Sequence, residues 1–220
     1  MFQKIEVSRS RLADQVYDQI LTAINQGVIA PSERIVQEKL AEQLQVSRTP
    51  IREALFRLEQ EGTLVASDRG GFTIRMASPR EVAEIYQARQ AIEGHCAAML
   101  ARNADATDLS EIEAVIRANE ATAPDSAPQY YDANRQIHRA FVAATDNQYL
   151  LEMFDAMWNR SLSFGAFRLL KQDQLRATLN GHLSLLDAIL TGDPLVAEHA
   201  MKEHISDGLQ LQLGAMSEIV

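Results

Sequence analysis

The segment VQEKLAEQLQVSRTPIREALFRLEQEG, residues 36–62, constrains the fold more than any other stretch of the chain. It contains two patterns of apolar residues at helical spacing, separated only by a tight turn at Gln45-Val46. Ser47 is a good N-cap for the second helix, and Pro50 falls in its first turn, where a missing N–H costs little. Two helices joined by so short a turn are typical of a helix-turn-helix.

The flanking segments extend this motif to a winged helix-turn-helix. An amphipathic helix precedes it, with apolar residues four positions apart at Leu12, Val16, Ile20 and Ile24. The segments TLVAS and FTIRM follow it, and the Gly-rich turn DRGG between them predicts a β-hairpin. Three helices and a small hairpin wing form a DNA-binding fold whose third helix enters the major groove.

Arginine residues lie where such a fold meets DNA. Arg48 and Arg52 are one turn apart at the start of the third helix, within reach of phosphates and guanine edges. Arg69 at the wing tip and Arg34 before the second helix are expected to contact the backbone or the minor groove. The alternative is that each arginine is solvated or paired with a neighbouring glutamate. Arg57 lies on the far side of the helix, so we expect a structural role for it.

The same residues resemble a known family. SERIVQEKLAEQLQVSRTPIREALFRLEQEGTLV, followed by GGF, resembles the DNA-binding domain of the GntR transcription-factor superfamily, with Ser32 and Gln45 standing where glycine is usual. The resemblance implies a homodimer that binds a pseudo-palindromic operator in double-stranded DNA. Carried over by position, it implies DNA contacts from Arg34, Arg48, Thr49, Arg52 and Gly71.

Charge divides the chain into two parts. Residues 1–77 contain ten Lys and Arg against ten Asp and Glu, whereas residues 78–220 contain 11 against 20 and so carry the whole net charge of -9. We therefore predict a DNA-binding domain over 1–77 and a second domain over 78–220. The sequence contains no apolar run of membrane-spanning length and no signal peptide, and its single cysteine, Cys96, suits a reducing compartment. We expect a cytoplasmic protein.

The second domain is predicted to be an all-α antiparallel helical bundle, which makes the whole chain mainly α. Its apolar periodicity predicts six helices, at about 79–103, 107–122, 126–145, 147–171, 173–191 and 193–218. Three histidines from three of these helices, His138, His182 and His204, share a face with apolar residues and are predicted to point inward. They could be hydrogen-bonded core residues, or they could bind one divalent metal ion, with Asn134 as an oxygen ligand one turn from His138.

A second resemblance favours the metal. NRQIHRAFVAATDNQYL, HLSLLDAILTGD and AEHAMKEHI resemble the FadR C-terminal domain, and six helices suggest its VanR-like branch. Metal-binding members of that family use a D-x-x-x-H pair and two later histidines, which correspond to Asn134, His138, His182 and His204. Zinc, nickel, manganese or iron would suit this set.

The family resemblance also implies a small carboxylate effector that completes the coordination of the metal. Arg89 and Arg160 are the candidates to neutralise further charge on this effector. For Arg89 the alternative is an ion pair with Glu93, and Arg160 has the same alternative with a nearby carboxylate.

The sequence therefore predicts a ligand-responsive transcriptional regulator, which we expect to be a repressor relieved by its ligand. A regulator that senses metal alone is one alternative, and a metal-dependent hydrolase is another. We predict no catalytic residue and no enzymatic activity, because the chain has neither an H-E-x-x-H motif nor a general base on a ligand-bearing helix.

Overall fold

The computed structural model describes residues 8–30, 33–104, 109–122, 124–158 and 162–218. The chain divides into two compact units, of which the first ends at Met76 and the second begins at Ala77. None of the helices in these described ranges is both long and apolar enough to cross a membrane.

The N-terminal unit has the winged helix-turn-helix fold that the sequence predicts. Its elements are α1 (Ser8–Asn25), α2 (Gln37–Leu44), α3 (Arg48–Gln60), β1 (Leu64–Ala66) and β2 (Phe72–Ile74). The apolar stripes of α1 and α3 pack together with the wing in one core, which includes Ile20, Ile24, Ile51, Leu55, Leu58 and Leu64. Leu12, the first residue of the predicted apolar stripe of α1, is 37% exposed and is not part of this core.

The turn between α2 and α3 depends on one left-handed residue. Gln45 has φ 53 and ψ 41, and its backbone N–H donates to carbonyls of α2. This backbone conformation favours glycine, so the glutamine at this position carries a small conformational cost. Ser47 occupies the N-cap of α3 in an extended conformation, but its side chain makes no capping hydrogen bond.

The wing is an antiparallel pair that a third segment supports. Leu64 pairs with Ile74 and Ala66 with Phe72. Ile35, just before α2, exchanges two backbone hydrogen bonds with Phe72, N to O at 2.8 Å and O to N at 2.9 Å. Gly71 has φ +79, and a Cβ atom there would lie 2.5 Å from the Ile35 carbonyl oxygen. The wing can approach Ile35 this closely because residue 71 has no side chain.

The second unit is all-α, but the prediction of six helices is wrong. Among the described residues it contains eight: α4 (Pro79–Arg102), α5 (Ser110–Ala121), α6 (Ala127–Ala143), α7 (Gln148–Trp158), α8 (Leu162–Phe167), α9 (Gln172–Ala177), α10 (His182–Leu190) and α11 (Pro194–Ser217). The long helices α4 and α11 pack along each other, and α6 and α10 contact α4. The VanR-like assignment rested on the count of six, so the structure does not support it.

The helix breaks that the apolar pattern does not predict have local causes. The predicted helix 173–191 is divided by a turn at 178–181, and Gly181 adopts φ 86 immediately before α10. The predicted helix 147–171 leaves helical geometry after Phe167, and α9 then begins at Gln172, where a break was expected. His182 is therefore the first residue of α10 and does not lie in the middle of a longer helix. Apolar periodicity continues across these turns, which is why it does not reveal them.

Candidate functional site

The structure brings together the three histidines that the sequence singles out. His138 comes from α6, His182 from the start of α10 and His204 from the middle of α11. One ring nitrogen from each lies within 4.8 Å of those of the other two. Their ring centroids are 4.6 Å apart for His182 and His204, and 5.3 Å from His138 to each of them.

Hydrogen bonds on two of these rings leave one nitrogen of each free. His138 Nδ1 lies 2.5 Å from Glu93 Oε2, and His182 Nδ1 lies 3.0 Å from the carbonyl oxygen of Leu179. Since a backbone carbonyl only accepts, His182 carries its proton on Nδ1 and presents a lone pair at Nε2. That Nε2 atom is fully buried and has no partner among the described residues. An imidazole nitrogen with a free lone pair can accept a hydrogen bond or bind a metal ion.

The electrostatic setting keeps the cluster neutral. Burial, together with the smaller effect of the nearby His138, lowers the pKa of His182 to about 3. Burial is likewise the main reason that the pKa of His204 falls to about 2. The pKa of His138 is also lowered by burial, although Glu93 opposes the shift. At neutral pH all three imidazoles therefore have a lone pair available for a cation.

Asn134 lies in the same region with a defined amide orientation. Its Nδ2 atom donates to the Tyr130 carbonyl oxygen at 2.8 Å and to Thr178 Oγ1 at 2.9 Å. Because the Tyr130 carbonyl can only accept, the atom that faces it must be the nitrogen. The amide oxygen Oδ1 is the atom that could coordinate a metal.

Glu93 is a site residue that the sequence analysis considered only as an ion-pair partner. It is 1% exposed and accepts from Arg89 Nε at 2.8 Å in addition to its bond with His138. Burial alone would raise the pKa of Glu93, but Arg89 and His138 hold it at about 2. The Arg89 guanidinium also lies over the Trp158 ring, 4.5 Å from its centroid. The sequence signal for Glu93 is its position one helical turn after Arg89, which predicts an ion pair. The hydrogen bond of Glu93 to His138 joins two separate helices and could not be predicted from the sequence.

A cavity of about 690 Å³ adjoins the cluster. Its polar lining includes Tyr86, Arg89, Asn134, His138, His204 and Gln212, and its apolar lining includes Ile85, Met157, Phe167, Leu185, Ile205 and Leu211. Arg89 thus forms the ion pair with Glu93 that was the alternative to an effector contact, and it also borders the cavity. Arg160, the second arginine assigned to the effector, lies outside the described residues.

The predicted DNA-contacting residues are on the surface of the N-terminal unit. Arg48, Thr49 and Arg52 are exposed at the start of α3, and the Arg48 guanidinium is 3.4 Å from the Glu38 carboxylate. Arg34 Nη1 donates to the Arg69 carbonyl oxygen in the wing turn at 2.6 Å. Arg34 therefore holds the wing turn in place, and the exposed Arg69 side chain projects from that turn.

Arg57 lies apart from this surface. Its guanidinium pairs with Asp14 at 3.2 Å and with Glu61 at 3.1 Å, and it stacks 4.0 Å from the centroid of the Tyr17 ring. These contacts join α3 to α1.

Comparison with known proteins gives two matches to family models. The model of the bacterial regulatory proteins of the gntR family matches residues 12–74, and that of the FCD domain matches residues 84–207, more than half of the chain.

Individual relatives agree with these matches. The chain is 32% identical over 143 residues to an uncharacterized HTH-type transcriptional regulator, YdhC, of Bacillus subtilis, a match that covers 64% of each chain. It is 29% identical over 201 residues to the probable D-xylose utilization operon transcriptional repressor of Paenarthrobacter nicotinovorans, covering 91% of this chain and 88% of the relative. Among solved structures, Escherichia coli McbR/YncC has the same fold, with a TM-score of 0.73, 24% identity, and coverage of 95% of this chain and 99% of that one.

Proposed function

Because the chain belongs to the GntR family of bacterial regulatory proteins and carries an FCD domain, it is a DNA-binding transcriptional regulator, and we propose that its helical unit binds a divalent metal ion and a small carboxylate effector. The observation that carries this proposal is the convergence of three neutral histidines, one of which has a buried nitrogen without a partner among the described residues. The alternative of a hydrolase is set aside, since the relatives are regulators and not enzymes.

The residues that would hold the cation are His138, His182 and His204, with Asn134 Oδ1 as the oxygen donor. Three imidazoles and one amide oxygen suit zinc, nickel or manganese. Glu93 orients the His138 ring by accepting its Nδ1–H, and the Leu179 carbonyl does the same for His182. When bound, the cation would supply an open coordination position for a carboxylate oxygen.

The charges around the cavity support a metal-dependent effector site. Arg89 is the one lysine or arginine among the described residues that line the cavity, and Glu93 already neutralises it. Glu203 and Asp207 border the cavity and are exposed. Without a cation this set of side chains carries excess negative charge and disfavours an organic acid. A divalent ion reverses that balance, so we expect carboxylate binding to require the metal.

On the DNA side we propose that Arg48, Thr49 and Arg52 enter the major groove and that Arg69 contacts the backbone or the minor groove. We propose that Arg34 and Gly71 contribute through the position of the wing and by direct backbone contact. The protein would act as a homodimer on a pseudo-palindromic operator, since two-fold symmetry in the protein is matched by two half-sites in the DNA. The effector would shift the population of DNA-competent dimers. A repressor role is supported by the relative from Paenarthrobacter nicotinovorans, which is described as a probable repressor.

The test combines metal content with operator binding. The wild-type protein is purified without chelator, beside His182→Ala and the control His199→Ala, whose histidine is exposed on the same helix as His204. We expect about one metal per chain in the wild type and in His199→Ala, and none in His182→Ala. Equal metal content in all three proteins, or no metal in any after zinc, nickel or manganese is added, would contradict the proposal.

Operator affinity separates the organic effector from a metal-only sensor. A duplex selected from random DNA is titrated with metal-loaded and metal-free protein, with and without a panel of small carboxylates. We expect a carboxylate to change the affinity only when the metal is present. A full response to metal alone, unchanged by every carboxylate, would favour the metal-only sensor.

A further inference from the structure

We infer that the cavity selects a monocarboxylate that carries a neutral hydrogen-bonding group, such as a hydroxyl, at the end away from the metal, and that Gln212 recognises this group. The inference rests on the proposed function, because it places the carboxylate at the histidine cluster. It adds a specificity-determining residue and excludes dicarboxylates as preferred ligands.

Gln212 has an unusual combination of burial and unused hydrogen-bonding capacity. It is 2% exposed and lines the cavity. Its Nε2 atom contacts the Tyr86 hydroxyl at 2.5 Å, whereas its Oε1 atom is buried without a partner among the described residues. A buried amide oxygen that accepts no hydrogen bond costs free energy. A ligand hydroxyl in the cavity would remove that cost in either orientation of the amide, because the Tyr86 hydroxyl can face the amide nitrogen or oxygen and a ligand hydroxyl can donate or accept.

The position of Gln212 sets the distance between the two polar ends of the ligand. Gln212 lies eight residues after His204 on α11, which places it two helical turns or about 12 Å farther along the axis. Gly208, one turn from each, also lines the cavity, and a Cβ atom there would lie 3.4 Å from the Tyr86 ring, so the glycine makes room for the tyrosine that contacts Gln212. The cavity lining also includes Phe167, Leu185 and Ile205, which suit an apolar middle of the ligand.

The charges around the cavity disfavour a second carboxylate. Tyr86, which contacts Gln212, is buried and uncharged at neutral pH, because burial raises its pKa. Arg89, the cation among the described lining residues, is already paired with Glu93. Glu203 and Asp207 add two negative charges to the cavity wall. A dicarboxylate would bring a second anion to a cavity in which Glu93 already neutralises Arg89, whose guanidinium lies 4.9 Å from the centroid of the Tyr86 ring, and burial of an unpaired charge is unfavourable.

The carboxylate end has a further donor. Trp158 Nε1 is buried without a partner among the described residues, and Trp158 lines the cavity. The Trp158 ring lies 6.1 Å from the His138 ring, centroid to centroid. This N–H can donate to the carboxylate oxygen that does not bind the metal. The Trp158 N–H and the unpaired amide atom of Gln212 therefore match the two ends of one ligand, an anionic acceptor and a neutral hydroxyl.

The experiment compares matched probes on the full chain loaded with zinc. Calorimetry measures zinc binding first, and then the binding of butanoate, 4-hydroxybutanoate and succinate and of their six-carbon counterparts hexanoate, 6-hydroxyhexanoate and adipate. We expect one of the hydroxy acids to bind roughly five- to tenfold more tightly than the plain acid of equal length, and the diacid to bind more weakly than either.

Two variants test whether Gln212 causes the preference for the hydroxy acid. Gln212→Leu is expected to abolish the advantage of the hydroxy acid and to leave the affinity of the plain acid unchanged. Gln210→Leu, an exposed glutamine on the same helix, should retain the wild-type preference. Circular dichroism checks that both variants are folded, and the probe comparison on the wild type stands even if Gln212→Leu does not fold.

The outcomes separate this inference from the proposed function. A diacid that binds most tightly, no preference for either hydroxy acid, or a preference that persists in Gln212→Leu would overturn the inference about the ligand. Zinc binding without binding of any probe would overturn it as well, while the metal site would stand. Failure to bind zinc would overturn the proposed metal site and the inference that rests on it.

Discussion

The Nδ1 atom of His138 and the Oε2 atom of Glu93 lie 2.5 Å apart in the interior of the helical unit, and Arg89 holds the same carboxylate from its other side. The carboxylate fixes the tautomer of His138 and leaves Nε2 free for a metal. It also supplies a negative charge close to the histidines, which is the charge that an aspartate at position 134 would have provided.

Glu93→Gln tests this positioning role. We expect metal affinity to fall about 10- to 100-fold, because the neutral amide orients His138 less strongly and no longer offsets the charge of the cation. The free energy of unfolding should fall as well, since Arg89 loses its buried partner. Competition with a chromophoric chelator measures the affinity on folded protein. Glu84→Gln, which removes the exposed partner of Arg80 on the same helix, is the control, and an equal affinity in both variants would argue against the role of Glu93.

Asn134→Asp should raise metal affinity, by about tenfold or more, because a carboxylate binds a divalent cation more strongly than an amide oxygen does. The same change should lower the Tm of the metal-free protein, since a carboxylate oxygen would face the Tyr130 carbonyl to which Asn134 now donates. Asn119→Asp is a matched control, because Asn119 Nδ2 donates to the carbonyl four residues earlier in the same way, at 2.9 Å, but lies on α5. It should lower Tm without a change in metal affinity. If Asn134→Asp leaves metal affinity unchanged, Asn134 is not a ligand.

Arg52→Ala and Arg57→Ala should separate DNA contact from structural support. Arg52 is exposed and makes no ion pair with the described residues, so its loss should weaken operator binding and reduce the slope of log affinity against log salt by about one. Arg57→Ala should keep the wild-type salt slope and lower stability by about 1 kcal/mol through lost contacts with Tyr17, Asp14 and Glu61. Fluorescence anisotropy over a salt series and thermal unfolding give the two readouts. An unchanged salt slope in Arg52→Ala would remove this residue from the DNA surface.

Gly71→Ala and Gly70→Ala form a pair that isolates a steric contact. Both glycines have positive φ, +79 and +77, so alanine costs about 1–2 kcal/mol of backbone strain at either position. Only at Gly71 would the new Cβ atom meet the Ile35 carbonyl oxygen, at 2.5 Å, while nothing lies within 4 Å at Gly70. We expect Gly71→Ala to be the more destabilising change and to weaken operator binding more. Equal Tm values for the two variants would show that the wing does not need this close approach.

Much of the architecture could be predicted because the relevant interactions are local. The apolar stripe of Ile51, Leu55 and Leu58 defines one buried face of α3, and all three residues are buried. The glycine-rich turn between the two strands of the wing predicts the hairpin in the same way. The convergence of three histidines could also be predicted, since each lies on the apolar side of a helical pattern.

Local patterns failed where the chain bends without a change in composition. The turn before His182 interrupts an apolar pattern that continues on both sides, so the sequence predicted one helix where the structure has α9 and α10. The position of His182 at the first turn of α10 allows its Nδ1 atom to bond Leu179 and directs the other nitrogen to the cluster.

The sequence by itself determined the two kinds of domain, the surface arginines and the identity of the histidines, because helical periodicity and turn chemistry act over a few residues. Only the tertiary structure decided which groups meet across long separations in the chain. Glu93 and His138 are 45 residues apart, and Tyr86 and Gln212 are 126 apart. No periodic pattern specifies such pairs, since they depend on how α4 packs against α6 and α11. The chemistry of the cavity is set by that packing.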